Sequence, residues 1–193
     1  MNHHSGKRNI ILVGVAGVGK TTLGEIVAKK LGLPFVDVDM GFEHIENSDI
    51  DTLLDRYGER GFDDRLLIYF VKEVSKAEQT VFAAPARITH YKRFWKEVRL
   101  NGISIHLRGK PWEVYMRHDV WVGGRKLTKA EKLEKRWKDD FYDYYWWRLR
   151  HCQKADYTLR ILGSKETDAE NLCEMIVKIV PLDKLEKDGV LNP

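Results

Sequence analysis

Cysteine is scarce in this 193-residue chain: Cys152 and Cys173 are too few for a disulfide framework and read as two structural thiols in a reducing compartment. Long apolar runs are missing too. The longest, such as Ile10–Val15, are strand-sized and fall far short of the ~18–20 residues of a membrane span. Met1-Asn-His-His-Ser-Gly-Lys-Arg8 carries no h-region or cleavage site ahead of the first strand, so no export and a cytoplasmic location are expected. His44, His90, His106, His118 and His151 show no H-x-x-x-H spacing, and no zinc site is expected. There is no internal repeat and no low-complexity segment. Excess charge is also small. A formal +4 does not by itself imply nucleic acid, and it suits a protein whose ligands are phosphates.

What is present is an ordinary globular balance, 43% hydrophobic and 32% charged, enough for one domain with one sizeable core. Strand and helix patterns alternate. Strands are expected at Asn9–Gly14, Pro34–Val38, Thr80–Ala84, Ile103–Leu107 and Tyr157–Leu162. Helical spacing covers Lys20–Leu31, a short segment from Ser48 to near Gly58, a longer one over Asp63–Lys76, and Asp168–Val180. Strands joined by helices indicate right-handed crossovers and a parallel sheet covered on both faces. Residues 1–180 are expected to form a single domain and 181–193 a polar, loosely attached tail.

The strongest motif is Gly14-Val-Ala-Gly-Val-Gly-Lys-Thr21, a complete G-x4-G-K-[ST] between an apolar strand and a helix. Chain wrapped around phosphate needs inward backbone N–H groups, and Gly14, Gly17 and Gly19 permit the dihedrals and close approach this requires. The following helix adds its positive end. ATP is the expected co-substrate, held over Gly14–Thr22 with Val18 and Thr22 in the loop. Lys20 is placed on the β- and γ-phosphates, and the Thr21 hydroxyl on Mg²⁺. Asp37 and Asp39, two residues apart at the ligand-collecting edge of the second strand, are expected on one side, one orienting the metal shell and the other aligning the acceptor hydroxyl.

Gly14–Thr22, Phe35-Val-Asp-Val-Asp39 and Gly58-Glu-Arg-Gly-Phe62, collinear over residues 9–84, resemble shikimate kinase, with a looser likeness to about Ala169. The resemblance implies a five-stranded parallel sheet flanked by helices, a P-loop fold of the nucleoside-monophosphate-kinase type, with a lid over about 118–140. It implies that Asp37 helps bind magnesium through water and that Asp39 holds the hydroxyl being phosphorylated. It also implies Arg117 near adenine and Arg125 reaching the nucleotide from the lid. Departures cluster on the acceptor side. The family's carboxylate-gripping arginine after G-E-x-x-F is Asp63, its triple glycine is Ala83-Ala-Pro-Ala86, and its later arginine falls at Trp147, beside Arg148 and Arg150. The acceptor, met by Asp39, Asp63 and Arg148, is therefore expected to be a small hydroxyl compound other than shikimate. Asp63 and Asp64 would accept from an amine or sugar hydroxyls, or one of them simply begins a helix. A weaker likeness to gluconate kinase rests on Phe62-Asp-Asp-Arg65, Ala86 and Tyr91.

Two other readings stay open at this level: an ATP-binding regulatory module with little catalysis, and a nucleotide or nucleic-acid kinase. Thr128–Lys138 is dense in charge and suits a solvated helix face. Phe141–Arg150, rich in aromatics and arginine, fits a helix packed between lid and core or at a dimer interface. It fits an acceptor-shaping lid as well, and less well a single-strand nucleic-acid platform. Monomer and homodimer are equally compatible with the sequence.

Overall fold

The computed structural model describes residues 8–117, 121–122 and 125–180. Its center is a five-stranded parallel sheet of order β2-β3-β1-β4-β7, built from β1 (Asn9–Val13), β2 (Phe35–Asp37), β3 (Val81–Ala83), β4 (Gly102–Arg108) and β7 (Tyr157–Arg160). The central strand is buried along its whole length. Alternation then divides it between two cores: Ile10 and Leu12 join one cluster, Ile11 and Val13 the other.

The first core takes Leu23, Val27 and Ala28 of α1 (Lys20–Lys30), Val114 and Tyr115 of α5 (Pro111–Arg117), and Ala169, Leu172 and Ile176 of α7 (Lys165–Ile179). The second takes Val38 and Phe42 of α2 (Val38–Glu46), Phe62, Leu66 and Phe70 of α3 (Ile50–Lys76), and Phe94, Trp95 and Val98 of α4 (Lys92–Asn101). Helices thus cover both faces, as the alternation of patterns implies.

Three boundaries differ from expectation, each for a local reason. The second strand stops at Asp37, whose side chain accepts from the Met40 amide at 3.1 Å and caps α2. Asp39 therefore sits in the first turn of a helix instead of on a strand extension, and strand alternation does not govern where it points. The helices expected before and after Gly58 form one run, α3, broken at Gly58 by backbone angles of φ 65° and ψ 168°. Asp63 consequently lies inside helix and does not begin one. Ser164 caps α7 by accepting from the Thr167 amide, so that helix starts earlier than Asp168.

Between α5 and β7, β5 (Trp121–Val122) and β6 (Arg125–Lys126) pair antiparallel, followed by α6 (Lys135–Cys152). Phe141, Tyr145 and Leu149 repeat every fourth residue and are buried, whereas Trp146 and Trp147 are exposed. Two of the six aromatics of this segment, Phe141 and Tyr145, are therefore core. The charged stretch before it begins as a short 3-10 turn, Glu131–Leu133, and not as a continuous helix. The remainder of the expected lid and the tail 181–193 lie outside the described residues. No helix among the described residues is long and apolar enough to cross a membrane.

Candidate active site

The loop after β1 wraps tightly because its glycines leave room that no side chain could share. A Cβ on Gly14 would meet the Leu107 carbonyl oxygen at 2.8 Å and Val18 Cγ1 at 2.9 Å, so the loop base packs directly on the end of β4. Gly19, at φ 107°, turns the chain into α1. Gly17, Val18, Gly19, Lys20, Thr21 and Thr22 then line a cleft of about 330 Å³ together with Arg117, Ile161, Gly163, Lys165 and Asp168.

Arg117 thus lines the same cleft as the phosphate loop, and four residues from the C-terminal side complete the wall without having been anticipated. Their signal lies in Ser164, Thr167 and Asp168: the Asp168 carboxylate accepts the amides of Leu162 at 2.7 Å and Gly163 at 3.0 Å, clamping the loop onto the start of α7.

Lys20 folds over its own loop, donating to the carbonyls of Gly14 at 3.0 Å and Val15 at 3.2 Å. Burial pulls its pKa down, and the nearby Asp39 carboxylate opposes that fall. The Thr21 hydroxyl donates to Asp37 Oδ2 at 2.5 Å, so Asp37 both caps α2 and holds the threonine. The hydroxyl and carboxylate form an oxygen-only donor pair, which suits a hard divalent cation that keeps much of its water.

Asp39 is shifted the other way. Desolvation in the crowded cleft raises its carboxyl to about 6, despite the attraction of Lys20, with Asp37 adding repulsion. A carboxylate poised near neutrality beside the phosphate loop is suited to handling a hydroxyl proton.

Beyond Asp39 the geometry departs from a simple open acceptor pocket. Asp63 is buried, 6% exposed, and both its oxygens are occupied: Oδ1 by Arg87 Nε at 2.6 Å, Oδ2 by the Tyr91 hydroxyl at 3.1 Å. Arg87 packs over the Phe62 ring at 5.4 Å, and its charge weakly opposes the rise of the Asp39 carboxyl. Arg148, 8% exposed, donates through Nη1 to the carbonyls of Ala86 at 3.0 Å and Arg87 at 2.7 Å, and its Nε has no partner among the described residues.

The segment after β3 is thus held by its carbonyls. Of its amides, that of Ala84 donates to Leu12 O at 3.0 Å, and Pro85 has no N–H. Sequence reasoning named Asp63 and Arg148 but missed Arg87, the residue that connects them. Arg125 pairs by its backbone with Val122, and its side chain lies outside the described residues.

The Asp63–Arg87 contact carries a measurable stability consequence. Replacing Asp63 by alanine removes a buried carboxylate from between Arg87 and Tyr91 and leaves the Arg87 guanidinium with the exposed Glu59 carboxylate, at 3.7 Å, as its ion-pair partner among the described residues. The expected loss is about 2–3 kcal/mol, read as a lower midpoint in denaturant with an unchanged slope. Asp63→Asn, which keeps an acceptor for Tyr91 but not the charge, is expected to lose less.

The family model for shikimate kinase matches residues 16–180. Shikimate kinase of Thermodesulfovibrio yellowstonii is 29% identical over 171 residues, covering 89% of this chain and 94% of that protein. That of Burkholderia thailandensis is 33% identical over 126 residues, 65% of each chain. Among solved structures, shikimate kinase from Bacteroides thetaiotaomicron superposes with a TM-score of 0.75 at 23% identity, over 88% of this chain and 98% of that one. The enzyme from Acinetobacter baumannii in complex with shikimate also gives 0.75, at 22% identity over 89% and 94%. At such identities the superpositions speak for the fold, and the family model over most of the chain for the lineage: the chain belongs to the shikimate kinase family and is an ATP-dependent small-molecule kinase.

Proposed function

We propose that this kinase moves the γ-phosphoryl group of ATP to the hydroxyl of a small molecule other than shikimate. The observation that carries the reading is the occupied state of Asp63. Where the family resemblance calls for a free arginine, a buried carboxylate is bound to Arg87 and Tyr91. The loop amides that would face an acceptor are replaced by Pro85 and by carbonyls turned toward Arg148.

The chemistry proposed for the site follows from its charges. Mg²⁺, held near Thr21 and Asp37, would offset the charge on the β- and γ-phosphates. Lys20, already desolvated, presents its ammonium to the transferring group, and the loop amides of Gly17–Thr22 hold the phosphate oxygens. Asp39 aligns the acceptor hydroxyl and takes its proton as transfer proceeds. Arg117, which lines the nucleotide cleft, is assigned to the adenine end of the nucleotide. Arg125, on the hairpin between α5 and α6, is assigned to the phosphates when the lid region closes.

Phosphorylation of a panel of polyols, sugars, amino sugars and hydroxy acids, followed as ADP release, tests the acceptor. Shikimate is expected to fall at least about a hundredfold below the best acceptor in kcat/KM, because a site built around different polar partners discriminates strongly. Efficient turnover of shikimate would overturn this reading. ATP hydrolysis at one slow rate with every compound would favor instead the ATP-binding module with little catalysis, for which the loss of loop amide donors speaks.

A further inference from the structure

A second cavity, of about 360 Å³, lies apart from the nucleotide cleft, lined by Arg108, Lys110, Tyr145, Trp146, Thr158 and Arg160 together with Gly109 and Pro111. Its size is comparable to the nucleotide cleft and falls in the small-ligand range. The register of the sheet accounts for its charge. Arg108 on β4 stands directly opposite Arg160 on β7, two like charges paired across neighboring strands. That arrangement is unfavorable on its own.

Among the described residues no carboxylate comes within ion-pair distance of either guanidinium, and the lining contains none. Lys110 adds a third cation, with one carboxylate, Glu113, at 3.0 Å. One wall is tied down: buried Tyr145 donates to the Gly109 carbonyl at 2.7 Å, with the Arg108 charge close by. Beside it Trp146 stands edge-on, ring centroids 5.4 Å apart, and remains 47% exposed, a large apolar face with nothing on it.

We propose that this cavity is a second ligand site, which takes a small phosphorylated compound: the phosphate between Arg108 and Arg160, the body of the molecule against Trp146. Two guanidinium forks and an ammonium match the charge and geometry of a phosphate dianion better than those of a single carboxylate. An exposed indole supplies the stacking surface for a ring.

The position also links the site to catalysis. Arg160 lines this cavity while the next residue, Ile161, lines the nucleotide cleft. Gly109, in the cavity wall, has no room for a Cβ: Val114 would lie at 2.7 Å, Val18 of the phosphate loop at 3.5 Å and an Arg117 guanidinium nitrogen at 3.6 Å. A ligand that shifts Gly109 therefore moves two nucleotide-binding residues, so occupancy of the second site changes nucleotide affinity.

Calorimetric titration of the full chain tests this, with phenyl phosphate and inorganic phosphate as probes and saturating ADP occupying the phosphate loop. Phenyl phosphate is expected to bind roughly tenfold more tightly than inorganic phosphate. The double variant Arg108→Gln/Arg160→Gln should weaken both by at least about tenfold, the weight of one lost charge-assisted contact. Trp146→Ala should remove only the advantage of the phenyl compound. In the double variant ADP binding without probe should match wild type, and the change in ADP affinity that phenyl phosphate produces should shrink.

Equal probe affinity in wild type and double variant overturns the site, as does a heat signal that disappears once ADP is saturating. Binding that leaves the ADP affinity of wild type and double variant identical in the presence of phenyl phosphate overturns the link to the nucleotide cleft. The outcome is independent of the acceptor's identity, since neither probe nor ADP requires turnover.

Discussion

Lys20→Met is expected to lower kcat by about 10²–10³-fold or more while leaving the fold intact, the scale of losing one preorganized charged donor from a phosphoryl-transfer site. The Lys20 ammonium is half-buried, desolvation pulls its pKa down, and it is held at 3.0–3.2 Å by two carbonyls of its own loop. Those carbonyls keep it aimed at the mouth of the glycine cradle and make it an organized charge instead of a mobile one.

Methionine fills nearly the same volume without the charge. The loop then retains its shape, set by Gly14 against Leu107 and Val18, and loses only its cation. Stability should change by about 1 kcal/mol, the net value of the two hydrogen bonds given up. The diagnostic measurement is kcat set beside the thermal midpoint. A dead enzyme whose midpoint moves by no more than about 2–4 °C supports the assignment, whereas near-normal kcat refutes it. Lys20→Arg should also be poor, because a planar fork does not replace a compact ammonium in a loop built around it.

That loop is the part of the site most legible in the sequence, and the reason is physical. Phosphate binding here is done by backbone, so glycine spacing alone encodes the shape, and one lysine and one threonine complete the donor set. The sheet was equally readable, since strands buried on both faces produce unbroken apolar runs such as Ile10–Val13.

The acceptor side was not readable in the same way, because its geometry depends on partners far apart in the chain. Asp63 and Arg87 are 24 residues apart and meet only because α3 packs beside the turn that follows β3. A substitution that looks repulsive in isolation becomes a neutral pair once Arg87 is beside it. Asp39 was expected on an extension of the second strand, whereas it sits in the first turn of α2. The short helix α2 begins where the Asp37 side chain caps it, and the Val38-Asp-Met-Gly41 stretch gives no long apolar periodicity to announce a helix. Arg148 was named from proximity to the family's arginine position, yet it reaches across to carbonyls of residues 86 and 87, some 60 residues away in sequence.

Asp39 supports the second large prediction, and the direction of its pH dependence follows from its surroundings. Desolvation by the cleft walls, reinforced by Asp37, raises the carboxyl from its ordinary 3.8 to about 6, with Lys20 pulling in the opposite direction. A raised pKa means that the protonated form is favored in the folded chain, so ionizing Asp39 costs folding free energy. Its contribution to stability accordingly declines as pH rises from about 4 through about 6.

Activity runs the opposite way. Only the carboxylate can take the acceptor's proton, so kcat/KM should climb through pH 6 and level off above it, reporting the free enzyme. Asp39→Asn keeps the side-chain shape and removes the base. It is expected to lower kcat by about 10²–10⁴-fold and to abolish the acidic limb of the profile. ATP affinity should remain close to wild type, since Asp39 does not line the nucleotide cleft.

The same substitution removes a buried charge that opposes folding, so Asp39→Asn should be at least as stable as wild type at pH 8 and gain nothing at pH 4. A variant that is inactive because it unfolds would show the reverse. An acidic limb that persists unchanged in Asp39→Asn would assign the proton to another group and remove Asp39 from the chemistry.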